Sequence, residues 1–399
     1  MVSASILPEP SVLASVAAFH EAFECPTVEG GPRLPSKDRA DLRVALLQEE
    51  LDELKTAIVA NDLVECADAF ADLQYVLSGA VLEFGMHRCF KDIFDEVHRS
   101  NMSKACSTQG EAEATVVHYA QAKGMQAKVH QSGEKLLVKR IPDQKVLKSV
   151  RYSPPHLRHF VETMTGVVAN GTAEPEPEKA LTQPASLGVP EPHALSSVAS
   201  FHDLFEVPVV EDGPRIPSAD RCQLRVSLLQ EELDELQAAI VAQDLVECAD
   251  ALADLQYVLS GAVLEFGLQH SFKGIFDEVQ RSNMSKLCTT LDEAEATVAH
   301  YLETKGVTSH IQESKAVVGK FLVRRQPDGK VLKSVNYSPA SLRSLVHGAG
   351  AEKRPRQSAE HTPQKQPAPK RAKEEQCAFP PKSTQVDVVV QPKTSVGAA

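Results

Sequence analysis

The chain repeats itself, and this constrains its fold more than any other feature. Residues 41–104 align without a gap on residues 223–286, and 52 of the 64 positions are identical. The flank 105–132 aligns on 287–314 with only 13 of 28 identical. Three extra residues in the second copy then bring Tyr152 opposite Tyr337. Two stretches this alike must fold as the same unit, so one reading of the local pattern serves both. The 399 residues are enough for two such units and their linkers.

Each copy reads as a succession of helices. A short amphipathic helix covers Val12 to Phe23 (Leu195 to Phe205), and a Pro- and Gly-containing loop follows it. Ser36 or Asp38 caps a long helix from Arg39 to Ala60. Asn61-Asp62 breaks it, and a second long helix runs from Leu63 to Phe84, ended by Gly85. A fourth helix covers about Cys89 to Lys104 and a fifth Glu111 to Lys123. Leu136–Ile141 and Val146–Val150 then read as a hairpin about Pro142-Asp143-Gln144, with Pro327-Asp328-Gly329 as the turn of the second copy. The expected division is copy one at 10–165, a linker rich in Pro, Glu, Ala and Thr at 166–192, copy two at 193–347, and a disordered tail at 348–399.

The longest apolar helix carries Glu65, Asp68 and Asp72, which makes it a poor membrane span, and the N-terminus has no evident signal peptide. Eight cysteines without a CxxC pair read as reduced thiols. The net charge of −12 argues against general nucleic-acid binding. The tail runs the other way, with nine Lys or Arg against five Asp or Glu from Ala349 onward. Its clusters Lys353-Arg354-Pro355-Arg356 and Lys370-Arg371-Ala372-Lys373 are spaced like a bipartite nuclear import signal, or are simply a solvated tail. Either a cytoplasmic or a nuclear location is compatible with this, with an import receptor as a partner in the second case.

The carboxylates carry the chemistry. Leu47, Leu51, Leu54 and Ile58 share one face of the first long helix, and Glu50 and Glu53 lie together at its border. The next helix is apolar nearly all round and should be buried. Yet Glu65, Asp68 and Asp72 fall on a single line along it. Buried carboxylates in a row repel each other, and a hard divalent cation relieves that repulsion. The alternative is a pair of solvated helix edges.

Glu49-Glu50-Leu51-Asp52-Glu53 followed by Glu65-Cys66-Ala67-Asp68 resembles the EExxE…ExxD signature of MazG-like and phosphoribosyl-ATP pyrophosphohydrolase-like proteins. Glu231-Glu232-Leu233-Asp234-Glu235 and Glu247-Cys248-Ala249-Asp250 repeat it. The resemblance covers roughly 12–155 and 195–340. It implies a duplicated all-α bundle, each copy carrying its small C-terminal hairpin. It implies Mg²⁺, or Mn²⁺ in its place, held by Glu50, Glu53, Glu65 and Asp68 and by Glu232, Glu235, Glu247 and Asp250. It implies cleavage of a nucleoside triphosphate between the α and β phosphates, giving monophosphate and pyrophosphate. One carboxylate, Glu49 or Glu53 (Glu231 or Glu235), would orient or deprotonate the attacking water. Relatives assemble as dimers, so the two copies are expected to form such a pair within one chain, with further oligomerisation open.

Asn101 and Lys104 share a helix face, as do Asn283 and Lys286. The resemblance gives the lysines a phosphate and the asparagines a base or sugar; a basic helix end is the alternative. His20 and His202 either line a base pocket or belong to the core. Arg43 and Arg225 either reach phosphate or pair with acids such as Asp72. Tyr152 and Tyr337 either stack on a base or pack. Arg151 stands where the second copy has Asn336, so the two pockets are expected to differ. Two other functions fit the pattern: hydrolysis of phosphoribosyl-ATP, and a nucleotide sensor or helical scaffold without turnover.

Overall fold

In both copies the apolar periodicity winds into the same helices. Copy one runs α1 (Val12–Phe23), α2 (Lys37–Val59), α3 (Leu63–Glu83), α4 (Phe90–Met102), α5 (Gln109–Lys123), β1 (Ala127–Ser132), β2 (Lys135–Arg140), β3 (Val146–Leu147) and α6 (Arg158–Thr165). Copy two runs α7 (Ala194–Phe205), α8 (Ala219–Ala242), α9 (Leu245–Glu265), α10 (Phe272–Met284), α11 (Leu291–Lys305), β4 (Ser309–Glu313), β5 (Phe321–Arg325) and α12 (Arg343–His347). This computed structural model describes residues 7–165 and 188–348. Most of the expected linker and the basic clusters of the tail lie outside the described residues.

The break between the long helices is chemically explicit. Asp62 accepts from the backbone N–H groups of Val64 and Glu65 at 3.1 and 3.2 Å, and Asp244 does the same for Val246 and Glu247. These are N-caps that restart the chain as α3 and α9. Gly85 and Gly267 end those helices at φ +69° and +71°, in the left-handed region. A Cβ at Gly85 would stand 2.4 Å from the Gly31 carbonyl oxygen, so the glycine also lets the preceding loop close on the helix end.

The copies interlock rather than sit side by side. α2 packs on α8, α3 on α9, α4 on α9 and α10 on α3, and the apolar side chains of both copies merge into one core. Two glutamine pairs mark the approximate two-fold axis. Gln74 and Gln256 exchange amide hydrogen bonds of 2.8 Å in each direction while buried. Gln48 and Gln230 do so at 3.2 and 2.8 Å. Exchange also reaches the termini of the first helices. Glu191 accepts from the N–H groups of Leu13 and Ala14, and Glu9 from those of Leu195 and Ser196. Each copy therefore caps the first helix of the other.

The β structure departs from the expected hairpin. Its main pair is β1 with β2, antiparallel from Ala127 opposite Arg140 to Ser132 opposite Lys135. Only Val146 and Leu147 of the expected second strand pair, adding an edge to a three-stranded sheet. Copy two keeps the two strands β4 and β5 and a single bridge from Arg324 to Val331. The segment Ala127–Ser132 is mostly polar because just one of its faces meets apolar side chains, so its alternation is weak. Cys66, Cys89, Cys106, Cys222, Cys248 and Cys288 are free and buried; Cys25 is not among the free thiols. Among the described residues no helix is long and apolar enough to cross a membrane.

Candidate active site

The helix pairs α2/α3 and α8/α9 place the motif carboxylates as their phase requires. Glu50 is 2% exposed and Asp72 1%, whereas Glu49, Glu53 and Asp68 are half-buried and Glu65 is exposed. In copy two Glu232, Asp250 and Asp254 are half-buried, and Glu231, Glu235 and Glu247 are exposed. Glu231 and Glu235 also line an open depression with Ser227, Gln230, Asp234 and Ala238.

Electrostatics show that the acids of copy two press on one another. Burial raises Glu232 to a pKa of about 8, helped by Asp254, Glu235, Glu231 and Asp250. Burial with Glu247 and Glu235 raises Asp250 to about 6. Burial with Asp250 raises Asp254 to about 7, against the pull of Lys104. Such a group holds protons at neutral pH unless a cation replaces them.

Lys104 belongs to the other copy, and this is the central fact of the geometry. Because α4 crosses onto α9, the Asn101 and Lys104 face of copy one looks at the acids of copy two. Lys104 is itself pushed down by burial, while Asp254 and Glu232 raise it. Its Nζ donates to Asn101 Oδ1 at 2.6 Å and lies 6.0 Å from the centre of the Phe201 ring. The Asn101 side chain lies beside the Tyr257 hydroxyl, one turn beyond Asp254. A similar arrangement holds for α10 on α3. Asn283 lies beside Tyr75, its buried Nδ2 without a hydrogen-bond partner, and Lys286 Nζ lies 5.9 Å from the Phe19 ring centre. Two composite clefts result, each with acids from one copy and an Asn–Lys pair from the other.

Four of the expected substrate residues lie elsewhere. His20, Arg43, His202 and Arg225 are buried in ion-paired networks beneath α3 and α9. Arg39 and Arg43 both bond Glu83, and Arg221 and Arg225 both bond Glu265. The partner of Arg43 is thus Glu83, not Asp72. His20 Nδ1 meets the Pro26 carbonyl oxygen at 2.8 Å, and His202 Nδ1 that of Pro208 at 3.0 Å. Burial, then Arg43, lowers His20 to a pKa of about 3, and burial, then Arg225, lowers His202 to about 4. Both rings are neutral and tie the Pro-containing loop to the helices. Tyr152 and Tyr337 pack on α4 and α10, next to Ser100 and Ser282.

Sequence reasoning left Asp72 and Asp254 outside the ligand set, although they continue the Glu65–Asp68 line by one turn. It also passed over Tyr75 and Tyr257, whose only signal is a polar tip in an otherwise apolar helix. The donors suit a hard cation: they are carboxylate oxygens, mutually repulsive, and Asp250 Oδ1 is buried without a hydrogen-bond partner. As placed, no three His, Cys, Asp or Glu side chains among the described residues converge closely enough to hold an ion.

Comparison with known proteins agrees with the duplicated helices. The phosphoribosyl-ATP pyrophosphohydrolase family model, which falls in the MazG-like superfamily, matches residues 16–101 and again 198–283. The uncharacterized protein L479 of Acanthamoeba polyphaga mimivirus is 40% identical over 74 residues, 18% of this chain and 30% of the viral protein. The chain thus matches less than a third of that relative's length. No solved structure matches.

Proposed function

We propose that this chain, whose two repeats both belong to the MazG-like pyrophosphohydrolase superfamily, is a Mg²⁺-dependent nucleoside triphosphate pyrophosphohydrolase with two composite sites. One observation carries the reading: mutually repelling carboxylates of one copy face a half-buried Lys–Asn pair of the other. A triphosphate with its cation is the ligand that satisfies both halves. Glu232, Glu235, Glu247 and Asp250, joined by Asp254, would hold the cation at one site, and Glu50, Glu53, Glu65 and Asp68, joined by Asp72, at the other. Bound Mg²⁺ would neutralise charge on the phosphate oxygens.

The protein's own groups supply the rest. Lys104 or Lys286 binds phosphate oxygens through an ammonium already drawn out of bulk water, where its charge is poorly screened. Asn101 holds Lys104, and Asn101 or Asn283, each beside a tyrosine, offers its amide to base or sugar. A carboxylate at the cleft mouth, Glu231 or Glu235 (Glu49 or Glu53), orients water and takes its proton. The water oxygen bonds to phosphorus as the α–β bridge breaks, and monophosphate and pyrophosphate leave. Removal of unwanted triphosphates from the nucleotide pool is a role this chemistry would serve.

The family description favours one second reading, phosphoribosyl-ATP as the substrate of the same bond cleavage. The test is pyrophosphate release by the full chain with Mg²⁺, across ribo- and deoxyribonucleoside triphosphates and phosphoribosyl-ATP. Release abolished by chelator and by Glu50→Gln with Glu232→Gln is expected, and the best nucleotide names the substrate. No release from any of them, with Mg²⁺-dependent binding retained, would leave a nucleotide sensor; indifference to chelator would leave a scaffold.

A further inference from the structure

The two clefts repeat the same acids, asparagine, lysine and tyrosine, but the group behind the tyrosine differs. At the cleft with the acids of copy two, His98 Nδ1 lies 3.1 Å from the Tyr257 hydroxyl, and the two rings stack with centroids 5.9 Å apart. At the other cleft the equivalent residue is Gln280. The Tyr75 hydroxyl donates to Gln280 Oε1 at 2.7 Å, and Gln280 Nε2 donates to the Ser15 carbonyl oxygen at 2.8 Å.

We propose that His98 is a positioning residue for one site, orienting Asn101 and Lys104 through Tyr257, and that Gln280, in its place at the other site, holds Tyr75 without a titratable proton, so that only the first site gains an acid-sensitive switch. This rests on the reading of the clefts as pyrophosphohydrolase sites. The argument is one of proton direction. Asn101 accepts from Lys104 through its oxygen, so it is the amide N–H, and not an acceptor, that it presents toward Tyr257. Tyr257 must then donate its own proton, and neutral His98 accepts it. Protonated His98 has no lone pair at Nδ1 and becomes a second donor to the same oxygen. The buried tyrosine proton is then stranded, and the chain from Tyr257 to Lys104 loses its order. Gln280 accepts at every pH.

The groups around His98 are few. Asp95 lies on its own helix, and Tyr257 and Asp254 lie on α9. On α7 the titratable side chains are His202, held by Pro208 and Arg225, and solvent-exposed Asp203. Burial lowers the His98 pKa from its ordinary value, with Asp95 opposing. Neutral His98 is therefore the working form, and the switch acts on acidification.

The test uses full-length chains with one site silenced. Glu50→Gln leaves the His98 site and Glu232→Gln the Gln280 site, and kcat/KM is followed from pH 5 to 8. The carboxylates give both an acid limb, so the readout is the difference between them. The His98 site should fall by up to about tenfold more per pH unit below the His98 midpoint. His98→Gln should remove that excess, and Gln280→His should confer it on the other site. Superimposable profiles that neither exchange moves would overturn the proposal. In the same chains the His98 imidazole is titrated by NMR with and without Asn101→Leu. A shifted midpoint supports the relay even if no nucleotide is hydrolysed, a result that would sink the reaction alone. An unmoved midpoint overturns the relay whatever the activity.

Discussion

The composite clefts make a pairing prediction that a pair of self-contained domains would invert. Lys104 lies opposite Glu232 and Asp254, and the Lys286 face opposite the α3 acids. Glu50→Gln with Lys286→Met therefore damages one cleft twice and leaves the other whole, so about half the activity should survive if the two sites turn over equally. Glu50→Gln with Lys104→Met damages both clefts. The Lys104 ammonium is largely withdrawn from water, so its contact to a transferring phosphate resembles the buried charge-assisted contacts whose removal costs about 2–4 kcal/mol in the transition state. At 1.36 kcal/mol per decade, the residual rate should drop by about 30- to 1000-fold. The assay is steady-state pyrophosphate release by equal concentrations of folded variants, with Glu232→Gln combined with each lysine change as the reciprocal pair. High activity of Glu50→Gln with Lys104→Met, together with loss in Glu50→Gln with Lys286→Met, would refute the crossed assembly. It would place each lysine with the acids of its own copy.

Three other outcomes follow from the same geometry. With pKa values of about 8, 7 and 6, Glu232, Asp254 and Asp250 should release protons when Mg²⁺ binds, and affinity should climb between pH 6 and 8; calorimetry in two buffers of different ionisation enthalpy reads this, and proton-neutral binding at pH 7 would contradict it. The sign for folding is opposite: carboxyls raised in the folded state contribute stability below their ordinary pKa and lose it as pH rises through 6 to 8, so the cation-free protein should weaken there and Mg²⁺ should restore it. Gly79→Ala would set a Cβ 2.5 Å from Arg43 Nη1, which Glu83 and His20 prevent from moving aside, so it should lose about 1–3 kcal/mol in urea unfolding rather than gain the increment alanine usually brings to a helix; an unchanged midpoint would contradict the packing. Glu9→Ala and Glu191→Ala each remove a cap supplied by the opposite copy and should each lower stability by about 1 kcal/mol by the same measurement, unless the reciprocal capping does not form in solution.

Helices and acids were legible in the sequence because both follow from residue spacing. The apolar circumference of Leu63–Phe84 announces a buried helix, and α3 and α9 are the central helices of the core. Helical phase likewise separates Glu50, which turns inward, from Asp52, which stays in solvent. What spacing cannot carry is the partner. Both copies hold the same acids and the same Asn–Lys pair, so nothing local says which pair faces which acids; the crossing of α4 onto α9 decides it. Arg43 was open between phosphate and an acid because Glu83 lies 40 residues away and its burial depends on how α2 settles on α3. His20 belongs to the same network for the same reason. The strand Ala127–Ser132 escaped because a strand with one polar face and few apolar residues resembles a loop until its neighbour is known.

Joining two copies in one chain frees the sites from being identical. In a dimer of separate chains, every substitution appears at both sites, so a change that helps one cleft must be tolerated in the other. Here the direct contacts have stayed equal, with Asn101 and Lys104 matched by Asn283 and Lys286, while the groups behind them have drifted: His98 against Gln280, Phe70 against Leu252, Arg151 against Asn336. Drift of this kind leaves the reaction in place and alters how its parts are held, which is where pH response and substrate preference are set. The glutamine pairs at the axis permit it. Across the axis Gln74 bonds Gln256 and Gln48 bonds Gln230, each its own equivalent, so these pairs fix the register of the two copies without requiring the clefts on either side to match.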